Sequence, residues 1–110
     1  MNTSKRRNFF GLGLAAVLVA PAVLADQTVT VSQRGREFQP ATVSIVRGTV
    51  VHVVNDDNVT HHVYVESPKM TFDSGEQPIG ATADLRFDHA GNFLVRCAID
   101  PTMRLAVTVQ

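Results

Sequence analysis

The only cysteine of the chain, Cys97, lies in the stretch RCAIDPTMRL, with Asp100 three positions later and Met103 three beyond that. A thiolate and a thioether are soft donors, and imidazole commonly joins them at metal sites. Four histidines are available. His52 sits inside TVVHVVN, where period-two alternation turns it away from Val51 and Val53 and toward solvent. His89 lies in DHAGN, some 20 Å or more from Cys97 at about 3.3 Å per strand residue, which makes it a poor co-ligand. His61 and His62 are different, because they follow the polar loop NDDNVT and open the segment HVYVE. They project from a strand end, where loops converge and sites are built.

Taken singly, each residue has an ordinary explanation: a small buried hydrophobe for Cys97, core packing for Met103, a solvated pair for the histidines. Two clusters at two strand ends change that reading. Thiolate, imidazole and thioether together suit copper in both oxidation states. Zinc sites of similar strength usually show two or more closely spaced cysteines, and calcium takes mostly oxygen.

The elements that must hold these groups are short. TVTVSQ, ATVSIV, TVVHVVN, HVYVE, ATADLRF, NFLVRC and RLAVTV alternate and are rich in Val, Thr, Ile and Phe, with Gly, Pro, Asn or Asp in most gaps. That pattern predicts an all-β domain, an antiparallel sandwich or small barrel of about seven to eight strands. RGREFQP reads as a turn with Phe38 inward and Pro40 at a strand edge, where no amide donor is needed. SPKMTFDSGEQPIG, residues 67–80, lacks alternation and carries Pro68, Gly75, Pro78 and Gly80, so a surface loop or short helix is expected there.

The N-terminus belongs to a different segment. A basic start with Arg6–Arg7, then the apolar run GLGLAAVLVAPAVLA ending in Ala25, reads as an export signal over residues 1–25, cleaved after Ala25. The paired arginines before Asn8, Phe9 and Phe10 look like the twin-arginine type that exports folded bacterial proteins, with an ordinary secretory signal holding two adjacent arginines as the alternative; either route leads out of the cytoplasm, and the periplasm is expected. Pro21 and two glycines interrupt the roughly 20 apolar residues that a retained membrane helix would need. Removing Lys5, Arg6 and Arg7 from ten basic residues leaves seven against ten acidic ones, a net of −3 for residues 26–110. That charge is scattered, with no basic stripe, which argues against nucleic acid as a partner. A single cysteine excludes an internal disulfide, whereas small domains often gain stability from a metal.

From about Phe38 to Val109 the sequence resembles the cupredoxins, the plastocyanin and amicyanin branch above all. The likeness rests on Phe38-x-Pro40, on Gly48 with Val51 and Val53 leading to Asn55, and on His61 followed by Val63. It continues through Phe72-Asp73-Ser74-Gly75, Phe87 with Gly91 and Phe93, and Cys97-x-x-Asp100-Pro101-x-Met103. What the resemblance implies is a Greek-key β-sandwich with one copper ion, cycling between Cu(I) and Cu(II), at one end. His61, Cys97 and Met103 would fall on the family's first histidine, cysteine and weak axial methionine. The second histidine should fall at position 100, where this chain has Asp100, and the neighbour of the first ligand, often Asn, is His62.

Three readings of Asp100 stay open. As a ligand, its carboxylate would favour Cu(II), lowering the reduction potential and giving a paler or greener centre. As a turn residue before Pro101 it would pair with Arg96 or Arg104 while His62 or water completes the site. In the third, it marks a degenerate site. The function expected is non-enzymatic: a monomeric periplasmic carrier passing single electrons between redox proteins such as a dehydrogenase or a cytochrome. Weak, brief contacts suit such a carrier, with Pro101, Thr102 and Pro68 expected on its docking face. The alternatives are a copper-holding or copper-delivery module without redox turnover, and a metal-free interaction sandwich.

Overall fold

The structure, a computed structural model, describes residues 27–110, so the expected export signal and its cleavage site lie outside the described residues. Nine strands are present among them: β1 (Thr28–Arg34), β2 (Glu37–Gln39), β3 (Thr42–Ile45), β4 (Thr49–Asn55), β5 (Val63–Ser67), β6 (Met70–Asp73), β7 (Thr82–Phe87), β8 (Gly91–Cys97) and β9 (Arg104–Val109). They form two sheets, of order β2-β1-β4-β7 and β3-β9-β8-β5-β6. Alternation decides what each strand buries. In β4, Val51 and Val53 are buried while Val50, His52 and Val54 are half-exposed. In β9, Leu105, Val107 and Val109 point inward and Arg104, Ala106 and Thr108 outward.

The inward faces meet as a sandwich. Val31, Leu85 and Phe87 of the first sheet and Val63, Val95 and Leu105 of the second are all fully buried in one cluster. Phe87 and Phe93 join the two sheets edge to face, with centroids 5.4 Å apart and rings at 61°. Such a pair adds about 1 kcal/mol beyond the area that it buries.

Three expectations need correction. The sheets are mixed, because β1 pairs with β4 and β3 with β9 in parallel. Residue alternation specifies which face of a strand is buried, and it carries no information on the neighbour's direction. Residues 67–80 are not all loop: Met70–Asp73 form β6, which turns back on β5 through Pro68 and Lys69. Pro68 therefore sits at the wrong end for a docking face around Cys97, and Lys69 Nζ beside it donates to the Ala90 carbonyl at 3.1 Å, just before β8 begins. His52 faces outward as alternation predicts, with its Nδ1 bonded to the Asp84 carboxylate directly across the β4–β7 pair.

One short hairpin matters for the site. β2 folds back on β1 through Gly35 and Arg36, both at positive φ (61° and 58°), the mirror-image turn whose twist suits two adjacent strands. The chain leaves β4 at Asn55, enters β5 at Val63, leaves β8 at Cys97 and enters β9 at Arg104. Because Val63 faces Cys97 and Arg96 faces Arg104 in register, the loops 56–62 and 98–103 lie at one end of the sandwich. Among the described residues no helix is long and apolar enough to cross a membrane.

Candidate metal centre

Side-chain parity brings the soft donors together. His61 continues the inward face of Val63 and Val65, Cys97 that of Phe93 and Val95, and Met103 that of Leu105 and Val107. His61 and Cys97 are fully buried and Met103 is 2% exposed, so all three close the core at its loop end. His61 Nδ1 lies 3.5 Å from Cys97 Sγ. The His62 amide donates to the same sulfur at 3.4 Å, and the Ala98 amide donates to the His62 carbonyl at 2.8 Å. The β5–β8 ladder is thereby carried one step past Val63, and the cysteine is locked under the His61–His62 backbone.

His61 is held from three sides. Its amide donates to the Gln77 carbonyl at 3.0 Å and its carbonyl accepts from the Gln77 amide at 2.7 Å. Its Nε2 meets Asp57 Oδ2 at 3.0 Å. Asp57 was not singled out from sequence; the available signal was an acid four residues before the histidine, in the loop NDDNVT. Its side chain is only 8% exposed, and its oxygens also accept from the Arg36 amide at 2.8 Å and the Asn58 amide at 2.9 Å. The tip of the β1–β2 hairpin is thus pinned to the histidine loop.

Those bonds keep the Asp57 carboxyl ionised. The Arg36 amide, then His61, then the Asn58 amide hold it at about 2 against an ordinary 3.8, while burial works the other way. An anionic Asp57 accepts from His61 Nε2, which leaves Nδ1 as the ring nitrogen facing Cys97. Because the folded-state value is depressed, the stabilisation is complete above about pH 4 and is lost as pH falls toward 2. In metal-free protein, Asp57→Asn is expected to flatten the acid limb of stability over that interval by on the order of 1 kcal/mol. Urea unfolding at a series of pH values checks this; equal acid slopes in both proteins would contradict it.

Asp100 sits in the turn between β8 and β9. Its Oδ1 accepts from the Thr102 amide at 3.1 Å and from Thr102 Oγ1 at 2.6 Å, while its carbonyl accepts from the Met103 amide at 3.1 Å. This is an Asx turn. The Thr102 hydroxyl, followed by the Thr102 amide, lowers the Asp100 carboxyl below its usual range, with Arg36 and His61 adding attraction. The charges that it feels come from Arg36 of the β1–β2 hairpin and from His61 rather than from the expected Arg96 or Arg104. His62, the alternative ligand, turns its ring outward and pairs through Nε2 with Asp73 of β6. Its contribution at the centre is its backbone amide. His89 is exposed in the turn before β8.

Among the described residues no group of three or more His, Cys, Asp and Glu side chains is arranged to hold a metal ion. What the structure assembles is a His61–Cys97 pair, with the Met103 thioether buried in the same end of the core. Those are borderline and soft donors, with His61 Nδ1 facing Cys97 Sγ.

No protein-family profile matches the sequence, and no curated protein does. Solved structures do match. A Cu-containing nitrite reductase from Thermus scotoductus SA-01 is 26% identical, with a TM-score of 0.70 over 79% of this chain and 23% of that one. A reduced single-site mutant of amicyanin is 21% identical, with a TM-score of 0.70 over 81% of this chain and 88% of its own. A purple cupredoxin from Nitrosopumilus maritimus is 21% identical, with a TM-score of 0.67 over 74% of this chain and 99% of its own. The chain spans about a quarter of the nitrite reductase and nearly the whole of the two small proteins. Its fold is cupredoxin-like.

Proposed function

We propose that this protein binds one copper ion and carries single electrons between larger redox proteins. The observation that carries the reading is the pairing of His61 Nδ1 and Cys97 Sγ at 3.5 Å in a fully buried pocket end, with His61 Nε2 anchored on Asp57. His61, Cys97 and Met103 would hold the ion. Asp100, engaged with Thr102, contributes its turn and its negative charge. The bound ion supplies a one-electron Cu(II)/Cu(I) couple.

The residues around the pair do the rest. Asp57, Gln77 and the His62 amide fix the donor atoms in place, so that a change of oxidation state need not move them. The hydrophobic shell of Val63, Val95 and Leu105 keeps water from the buried side. Exposed Ile99, Pro101 and Thr102 form the face on which a partner would dock briefly. The copper proteins of the same fold, amicyanin and the purple cupredoxin, support this reading. Export by the twin-arginine-like segment to the bacterial periplasm, and a monomeric mature chain from residue 26, complete the proposal.

Copper titration with visible and electron-spin spectra tests the binding, and voltammetry tests the function. One equivalent of Cu(II) is expected to bind with a cysteine-to-copper charge-transfer band, and the loaded protein is expected to show a reversible one-electron wave. Tight binding with an irreversible wave would mean a copper-holding module. No uptake would end the copper reading.

A further inference from the structure

Gln33 is the last inward-facing residue of β1, on the same side of the strand as Val29 and Val31. It is fully buried, yet neither its Nε2 nor its Oε1 meets a hydrogen-bond partner among the described residues. Two unpaired polar groups in a core weaken the folded state, and a valine or leucine at this position would not carry that cost. Native domains keep few such groups, and those that persist serve redox or catalytic sites or hold an ion or a water.

The position is the loop end of the first sheet. Gln33 pairs with Asn55, the last residue of β4, and with Phe38 of β2. Its carbonyl accepts at 3.0 Å from the amide of Asp56, the first residue of the histidine loop. Phe38 and Met103 line one surface cleft, so the hairpin abuts the turn that carries the thioether. From the second sheet, the buried residues that close this same end are His61, Cys97 and Met103. Facing sheets stand about 10 Å apart and their inward side chains fill that gap, so the Gln33 carboxamide enters the layer of the soft donors. Gln77, the other buried glutamine at this end, also has an unpartnered Oε1, but its Nε2 is pinned by the Val53 and Ala81 carbonyls at 3.0 and 2.9 Å. No side-chain bond fixes Gln33.

We infer that Gln33 serves the bound copper ion as a neutral oxygen donor from the first sheet, joining His61, Cys97 and Met103; the inference rests on the copper reading above. The ion's own charge sets the direction of the effect. With the Cys97 thiolate, Cu(II) leaves one net positive charge in the buried end of the core, and Cu(I) leaves none. A carbonyl dipole turned to that charge stabilises Cu(II) more than Cu(I), and an oxygen donor, harder than sulfur, acts in the same sense. Gln33 therefore weakens the metal-free fold and holds the reduction potential down once copper is bound.

The test compares wild type, Gln33→Leu and Gln33→Glu as full proteins, metal-free by urea unfolding and copper-loaded by chelator competition and voltammetry. Metal-free Gln33→Leu is expected to unfold at a higher urea concentration than wild type, because an apolar side chain replaces two unpaired groups. It is expected to bind Cu(II) at least about tenfold more weakly, with Cu(I) affinity changed less. A tenfold difference between the two states corresponds to a rise of about 59 mV in reduction potential. Gln33→Glu keeps an oxygen and adds charge, so its potential should fall below that of wild type. A metal-free Gln33→Leu less stable than wild type would show that the amide is satisfied within the core, and overturns the inference. Unchanged Cu(II) affinity and potential in Gln33→Leu, or a raised potential in Gln33→Glu, overturns it too, and in each case copper uptake by wild type leaves the proposed function standing. Absence of copper uptake by wild type overturns both.

Discussion

Cys97→Ser is expected to fold, to lose the cysteine-to-copper charge-transfer band entirely, and to bind copper more than 100-fold more weakly. The folding part follows from size and hydrogen bonding. Serine is smaller than cysteine, and the His62 amide that now donates to Sγ at 3.4 Å can donate to a hydroxyl instead. Burying that hydroxyl in the fully enclosed site costs about 1–2 kcal/mol, which a sandwich of this core can absorb. The metal part follows from softness. Loss of an outer partner of a ligand already costs about 10–100-fold in affinity, so loss of the thiolate itself should exceed that range. No other cysteine exists to take its place. Competition with a copper chelator, read beside the visible spectrum, decides the matter. Unchanged affinity in the variant would mean that copper binds elsewhere on the chain.

The second large effect is expected at Asn55, which joins the loops behind His61. Its Nδ2 donates to the Val59 carbonyl and to the Gln77 carbonyl, each at 2.9 Å, and its Oδ1 accepts from the Asp57 amide at 3.0 Å. Asn55 is fully buried, so water cannot readily replace these bonds. Asn55→Ala strands the Val59 carbonyl and the Asp57 amide at roughly 1–3 kcal/mol each and takes one of two donors from the Gln77 carbonyl, which keeps the His61 amide, so a net loss of about 2–4 kcal/mol is expected after partial relaxation. That is a large share of the 5–15 kcal/mol typical of a domain. Because Asp57 and Gln77 both hold His61, the variant should also release copper faster than wild type. Denaturant unfolding of the metal-free protein and copper transfer to a chelator measure the two effects separately. A stability loss under about 1 kcal/mol would contradict the role given to these three bonds.

Strand positions were largely legible in the residues. TVVHVVN and RLAVTV coincide with β4 and β9, because seven or six residues of alternating Val, Leu and Thr leave little choice of state or face. The strands that escaped notice, β2 and β6, have three and four residues. Stretches so short carry no measurable period, and their pairing comes from the tight turns before them. The parallel β1–β4 and β3–β9 pairs were equally unreadable, since alternation is identical in parallel and antiparallel neighbours.

For the site, residue types and spacing pointed to a soft donor set of one thiol, one histidine at a strand entry and one thioether. That all three turn inward became visible with the strand bounds, from which parity follows. The environment of each donor was decided only by the tertiary structure. Asp57, four residues before His61, is held in place by the amide of Arg36, which lies 21 residues away in the chain on the β1–β2 hairpin. The Asp100 carboxylate accepts from Thr102, two residues on, a local turn bond that leaves its part at a metal to experiment. The Arg36–Asp57 bond depends on how the hairpin packs against the histidine loop, and no local pattern of residues encodes that packing.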